Sequence, residues 1–219
     1  LQRYLPASLL AGLIRPMLVA RRADGGSDQQ LILVGNLILK VNLFLLLPLA
    51  SLFAVAGHEF ANLSSGGKYA DAGPLLCMMT LLLALTGTHV VLSMLATALE
   101  DRRAVLIGTL VSVPGIGVGI LLSPALGAMA MVLGLWLSEL LWCGFTLWLL
   151  RKKGFAFRID AWAWAKLFAA ALVAAVATAG LTPLLGWAGG PRLLACGVII
   201  AVAYLAVCAV LMTLSSDEW

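Results

Sequence analysis

The sequence predicts an all-α, polytopic bundle of about seven transmembrane helices. Hydrophobic residues make up 63% of the 219 and charged residues 11%, against roughly half and a quarter in water-soluble domains. The apolar residues gather into unbroken runs of helix length, as needed to cross a hydrocarbon core about 30 Å thick. Short alternating segments, the signature of a membrane β-barrel, are absent, and a helix satisfies its backbone polar groups internally. Basic residues, in turn, collect in alternate loops between the runs.

The spans follow in order. Leu5 to Ala20 opens the chain; Arg15-Pro16 interrupts it, and the basic pair Arg21-Arg22 follows rather than precedes it, so it reads as a membrane helix and not as a signal peptide. The chain begins on Leu1 rather than Met and reads as the continuation of a longer one. Leu31 to Ala56, Pro74 to Leu99, Ala104 to Leu122, Leu126 to Leu150, Trp162 to Leu185 and Leu193 to Leu214 are the remaining spans, bounded by charged and Gly/Pro clusters. The expected division is 1–150, five spans, and 151–219, a further C-terminal pair.

Loop charge orients the bundle, because cytoplasmic loops carry the excess of Lys and Arg. Arg21 and Arg22, then Arg102 and Arg103, then Arg151, Lys152, Lys153 and Arg158 occupy alternate loops, whereas the intervening ones hold Lys68, no basic residue, and Arg192. The first span therefore runs outside to inside, and Ser215 to Trp219 end in the cytoplasm. Trp162 and Trp164 fall at an inner boundary and Tyr69 and Trp187 near outer ones, where aromatic belts lie. Gly115 with Gly119, and Ala170, Ala174 and Thr178, place small residues at four-residue spacing for close helix contact. Pro114 to Gly119 also concentrates helix-breaking residues, which makes a hinge the competing expectation.

Ionisable groups inside a bilayer cost roughly 2.5 to 3.5 kcal/mol each on insertion scales, so each needs a reason. Four stand out: Arg15, Lys40, His89 and Glu139. Counted at about 1.5 Å per residue from the cytoplasmic end of each span, the last three lie roughly 15 Å deep and share a layer. Asn36 precedes Lys40 by four residues, so the two form a polar stripe on one helix face. Lys40 could attract an anionic headgroup, or pair with Glu139 to hold two helices together. Glu139 lies between Trp136 and Trp142 and could take up a coupling proton; His89, flanked by Thr86, Thr88 and Ser93, suits a helix-to-helix hydrogen bond. Arg15, near its helix end, can snorkel to the headgroups or join a binding site.

Other chemistry finds little support. Cys77, Cys143, Cys196 and Cys208 sit in apolar runs without CxxC or metal-ligand spacing and read as small core residues. The net charge of +4 is spread over loops without an aromatic platform, which argues against nucleic acid. Pro114-Gly115-Ile116-Gly117-Val118-Gly119 has no preceding strand to make it a phosphate loop. With no catalytic constellation, metal cluster or cofactor motif, and Gly57 to Gly73 as the longest connection, the chain is not expected to be an enzyme.

The loop Gly66-Gly67-Lys68-Tyr69-Ala70-Asp71-Ala72-Gly73, after a span with Lys40 and Pro48 and before Pro74-Leu75-Leu76, resembles the outer loop in the C-terminal lobe of polysaccharide-biosynthesis flippases, within the multidrug, oligosaccharidyl-lipid and polysaccharide exporter superfamily. Leu122-Ser123-Pro124-Ala125-Leu126-Gly127-Ala128-Met129-Ala130 is similar to that family's short outer turn. The resemblance covers about Ala7 to Leu150, and the last two spans by count only. It implies the C-terminal half of a two-lobed exporter of the bacterial inner membrane, which flips undecaprenyl-pyrophosphate-linked oligosaccharide or polysaccharide precursors, such as those of O-antigen or exopolysaccharide, by alternating access. Lys40, Asn36 and Arg15 are then the substrate-binding candidates, and Glu139 and His89 the coupling or structural ion pair. The implied partners are the lipid-linked saccharide, membrane lipids and glycan-assembly proteins. A cation-coupled drug or metabolite antiporter of the same superfamily is the alternative within transport; a membrane-embedded glycan polymerase or ligase, or a non-transporting helical scaffold, is the alternative outside it.

Overall fold

The computed structural model describes residues 28–99 and 101–213, all helix and short connections, with no strand among the described residues. The expected first span, Arg15, and Ser215 to Trp219 lie outside them. Among the described residues, six helices are long and apolar enough to cross a membrane, as a multi-pass membrane protein requires. They are α1 (Asp28–Ser65), α2 (Gly73–Ala98), α3 (Arg102–Leu126), α4 (Ala128–Lys152), α5 (Ala161–Leu181) and α6 (Gly190–Thr213), with 3₁₀ turns at Ala70–Ala72 and Thr182–Leu185.

The most instructive departure from the expected spans is in α1. Its apolar run ends at Ala56, where the helix kinks (φ −124°, ψ 20°) and then continues to Ser65. Beyond the kink, Gly57 lies so close to Gly73 that a Cβ on it would stand 2.9 Å from the Gly73 Cα, and Arg192 pairs with Glu59 at 2.6 Å. These contacts, with Ala61 buried and the Phe60 ring against Phe53, hold the stretch beyond the apolar run helical. Gly66 and Gly67 then end it with φ of 61° and 89°, a backbone that side chains other than glycine resist, and Gly67 N–H donates back to the Asn62 carbonyl at 3.0 Å. The connection before α2 is therefore much shorter than Gly57 to Gly73.

Helices α3 and α4 form a tight antiparallel hairpin joined by the single residue Gly127, at φ 56°. Despite Pro114 and Pro124, α3 is one uninterrupted helix. Gly115 and Gly119 sit against the backbone of Ser138 and Gly134 on α4, so this glycine-rich stretch serves a close helix contact and introduces no break.

The described chain groups into two compact units. One comprises the stretch up to Asn42 together with Leu82–Asp160; the other comprises Leu43–Leu81 and the chain from Ala161. The grouping cuts across α1 and α2. In the first unit Ile38, Leu39, Leu92, Leu95, Trp142 and Phe157 form the buried core. In the second, Ala170, Ala174 and Thr178 are fully buried on α5, which packs on α6. The Ser51 hydroxyl donates to the Ala171 carbonyl at 3.0 Å, and Phe44 meets Tyr204 with ring centroids 5.5 Å apart. Cys143, Cys196 and Cys208 are buried and Cys77 half-buried, all as free thiols.

Candidate functional site

Asn36, Lys40, His89 and Glu139 all fall in the first unit; His89 pairs with Glu139, whereas Lys40 has a partner other than the one expected. His89 on α2 faces Glu139 on α4, Nδ1 to Oε2 at 2.9 Å. Its ring stacks on Trp142, three residues further along α4, with centroids 3.6 Å apart and planes within 5°. Because residues three apart share a helix face, α4 offers the imidazole both a carboxylate at its edge and an indole beneath it. An Nδ1–H in this geometry donates to the carboxylate and leaves Nε2 as the free ring position. The side chains are 33% and 20% exposed, so the pair is open on one side.

Lys40 does not meet Glu139. Its ammonium pairs with Asp160 at 2.7 Å. The shared depth is counted from Leu31, but α1 begins at Asp28 and runs for 38 residues, more than the roughly 20 that span the hydrocarbon core. Position along so long a helix does not fix depth; the partner does, and Asp160 immediately precedes the start of α5. Asn36 and Lys40 share a face as expected, and that face meets the extended segment after α4. The Asn36 amide donates to the Arg158 carbonyl at 3.0 Å and its oxygen accepts from the Asp160 N–H at 3.2 Å. Phe155 and Phe157 are buried, and a Cβ on Gly35 would stand 3.0 Å from the Phe157 ring. The stripe therefore clamps a strap of chain, with Lys40 still 41% exposed beside it.

Three contributors escaped sequence reading. Asp160 ends an otherwise basic loop, and being its lone acid was the available signal. Trp142 is read from the sequence only as a neighbour of Glu139, not as the ring on which His89 stacks. Asn42, fully buried, fastens α1 to α2 by donating to the Ala84 carbonyl at 3.1 Å, and it occupies the space that a side chain at Gly87, two residues before His89, would need. On α4, Trp142 Nε1 and Thr146 Oγ1 are buried without a hydrogen-bond partner among the described residues, both packed against Gly108 on α3. Arg15 lies outside the described residues.

Chemically, the His89–Glu139 pair can hold and pass a proton between carboxylate and imidazole, and the buried Trp142 indole fixes the plane of the His89 ring. Lys40, held by a half-exposed carboxylate, can exchange that partner for another anion, since such exposed pairs are worth at most about 1 kcal/mol. No protein-family model, characterised protein or solved structure matches this chain.

Proposed function

We propose that this chain is one lobe of a bacterial inner-membrane transporter that flips an undecaprenyl-pyrophosphate-linked oligosaccharide or polysaccharide precursor by alternating access, its C-terminus in the cytoplasm. The observation that carries the proposal is the His89–Glu139 pair between two membrane-length helices, with both side chains partly open. An ionisable pair is an expensive way to fasten apolar helices, and such groups mark transport pathways. The resemblance of Gly66 to Gly73 and Leu122 to Ala130 to polysaccharide flippases supplies the substrate class. In this scheme Lys40 rests on Asp160 and is transferred to the pyrophosphate as the lipid enters, while Asn36 keeps the strap in place.

The test is glycan export by the full-length protein in a strain lacking its own copy. Lys40→Gln is expected to abolish export at normal membrane abundance, and Lys40→Arg to keep part of it, because the charge survives in a differently shaped group. Normal export by Lys40→Gln would rule out the headgroup role.

A cation-coupled antiporter of small molecules is the second reading, favoured by the pairing of Glu139 with histidine in place of lysine. It expects Glu139→Gln to abolish proton-driven uptake of a cationic drug into inverted vesicles while leaving glycan export intact. The flippase expects loss of export and no drug uptake by the unmodified protein.

A further inference from the structure

Where α3 begins and α4 ends, the acidic side chains are engaged. Asp101 caps α3, accepting from the Ala104 N–H at 3.4 Å, and holds Lys153 at 2.6 Å. Asp160 holds Lys40. Asp28, two turns before Asn36, opens α1, and Glu100 lies outside the described residues. Arg103, Arg151, Lys152 and Arg158 are exposed, and none has an ion-pair partner among the described residues.

On α4 the Lys152 ammonium stands 5.3 Å from the centroid of the Trp148 ring, one turn further into the helix. That indole is 54% exposed. An exposed indole one turn inside the end of an apolar helix sits at headgroup level, which brings Arg151 and Lys152 to the depth of the lipid phosphates. Loop topology alone asks only for a basic excess. It does not explain why Asp160 and Asp101 are taken up by Lys40 and Lys153 while, among the described residues, Arg151 and Lys152 have no acidic partner beside an exposed aromatic.

We propose that this end of α4 binds the headgroup of an anionic phospholipid, with Arg151 and Lys152 on the phosphodiester and an acyl chain along Trp148. Arg103 and Arg158 add to the field that favours an anionic over a zwitterionic lipid.

The test uses the full chain in mild detergent, titrated with phosphatidylglycerol or phosphatidylcholine, with retained lipid counted by native mass spectrometry. Phosphatidylglycerol should be retained preferentially. R151Q/K152Q should weaken its binding about thirtyfold, at about fivefold per basic residue, whereas R151K/K152R should keep it. Both side chains are exposed, so the fold survives the change, and unaltered helical circular dichroism verifies this. Equal retention of the two lipids, or undiminished phosphatidylglycerol binding by R151Q/K152Q, overturns the proposal.

Discussion

Replacing Gly115 by alanine puts a methyl group 2.6 Å from the Cα and 2.9 Å from the Cβ of Ser138. Carbon atoms rest about 3.5 to 4.0 Å apart, so the α3–α4 seam must open by about 1 Å. A gap of that size forfeits a quarter to a half of each contact across the seam, and overpacking of this kind costs about 1 to 3 kcal/mol. Gly117, on the same helix, has nothing within 4 Å of its would-be Cβ. Alanine there gains the same helix propensity without the clash, so the difference between Gly115→Ala and Gly117→Ala isolates the contact at about 1 to 3 kcal/mol. Unfolding of the full chain by dodecyl sulfate in mixed micelles, followed by circular dichroism, measures it. Equal midpoints for the two variants would refute the close backbone seam. Because Ser138 adjoins Glu139, the same opening should also lengthen the 2.9 Å contact to His89.

Two further outcomes follow from the loops and the polar pair. In a background with the native cysteines replaced, Arg103→Cys and Lys152→Cys should react with an impermeant thiol reagent only from the cytoplasm and Lys68→Cys only from outside; labelling of Lys68→Cys from the cytoplasm would invert the orientation. A double-mutant cycle of His89→Asn and Glu139→Gln in the same micelle assay should give a coupling of about 0.6 kcal/mol and no more than about 1.7, the range for hydrogen bonds between membrane helices; strict additivity would mean that the two side chains do not interact.

Helix type and the six spans among the described residues were legible because an apolar run of bilayer length leaves the backbone one solution. Gly115 and Gly119 were readable as a packing face for a related reason: glycine at four-residue spacing lets backbones approach. The end of α1 was not legible, since apolarity stops at Ala56 while helicity continues on contacts with Gly73 and Arg192, both distant in sequence. His89 and Glu139 were found as polar residues in apolar runs, and Lys40 likewise. Its partner was missed because Asp160 is delivered by an extended segment after Gly154, and a stretch without periodicity gives no sign of where it folds. Trp142 was seen beside Glu139, but its stacking on His89 depends on how α2 meets α4, which spacing along one helix does not give.

Beyond the kink at Ala56, the stretch Gly57–Ser65 carries His58, Glu59, Asn62 and two serines on a helix held at Gly73 and Arg192. As an isolated peptide it is too short to hold a helix in water. An antibody fragment selected on the intact protein would therefore recognise a shape, ignoring the same residues as free peptide, and would report by its release when this end of the second unit comes apart.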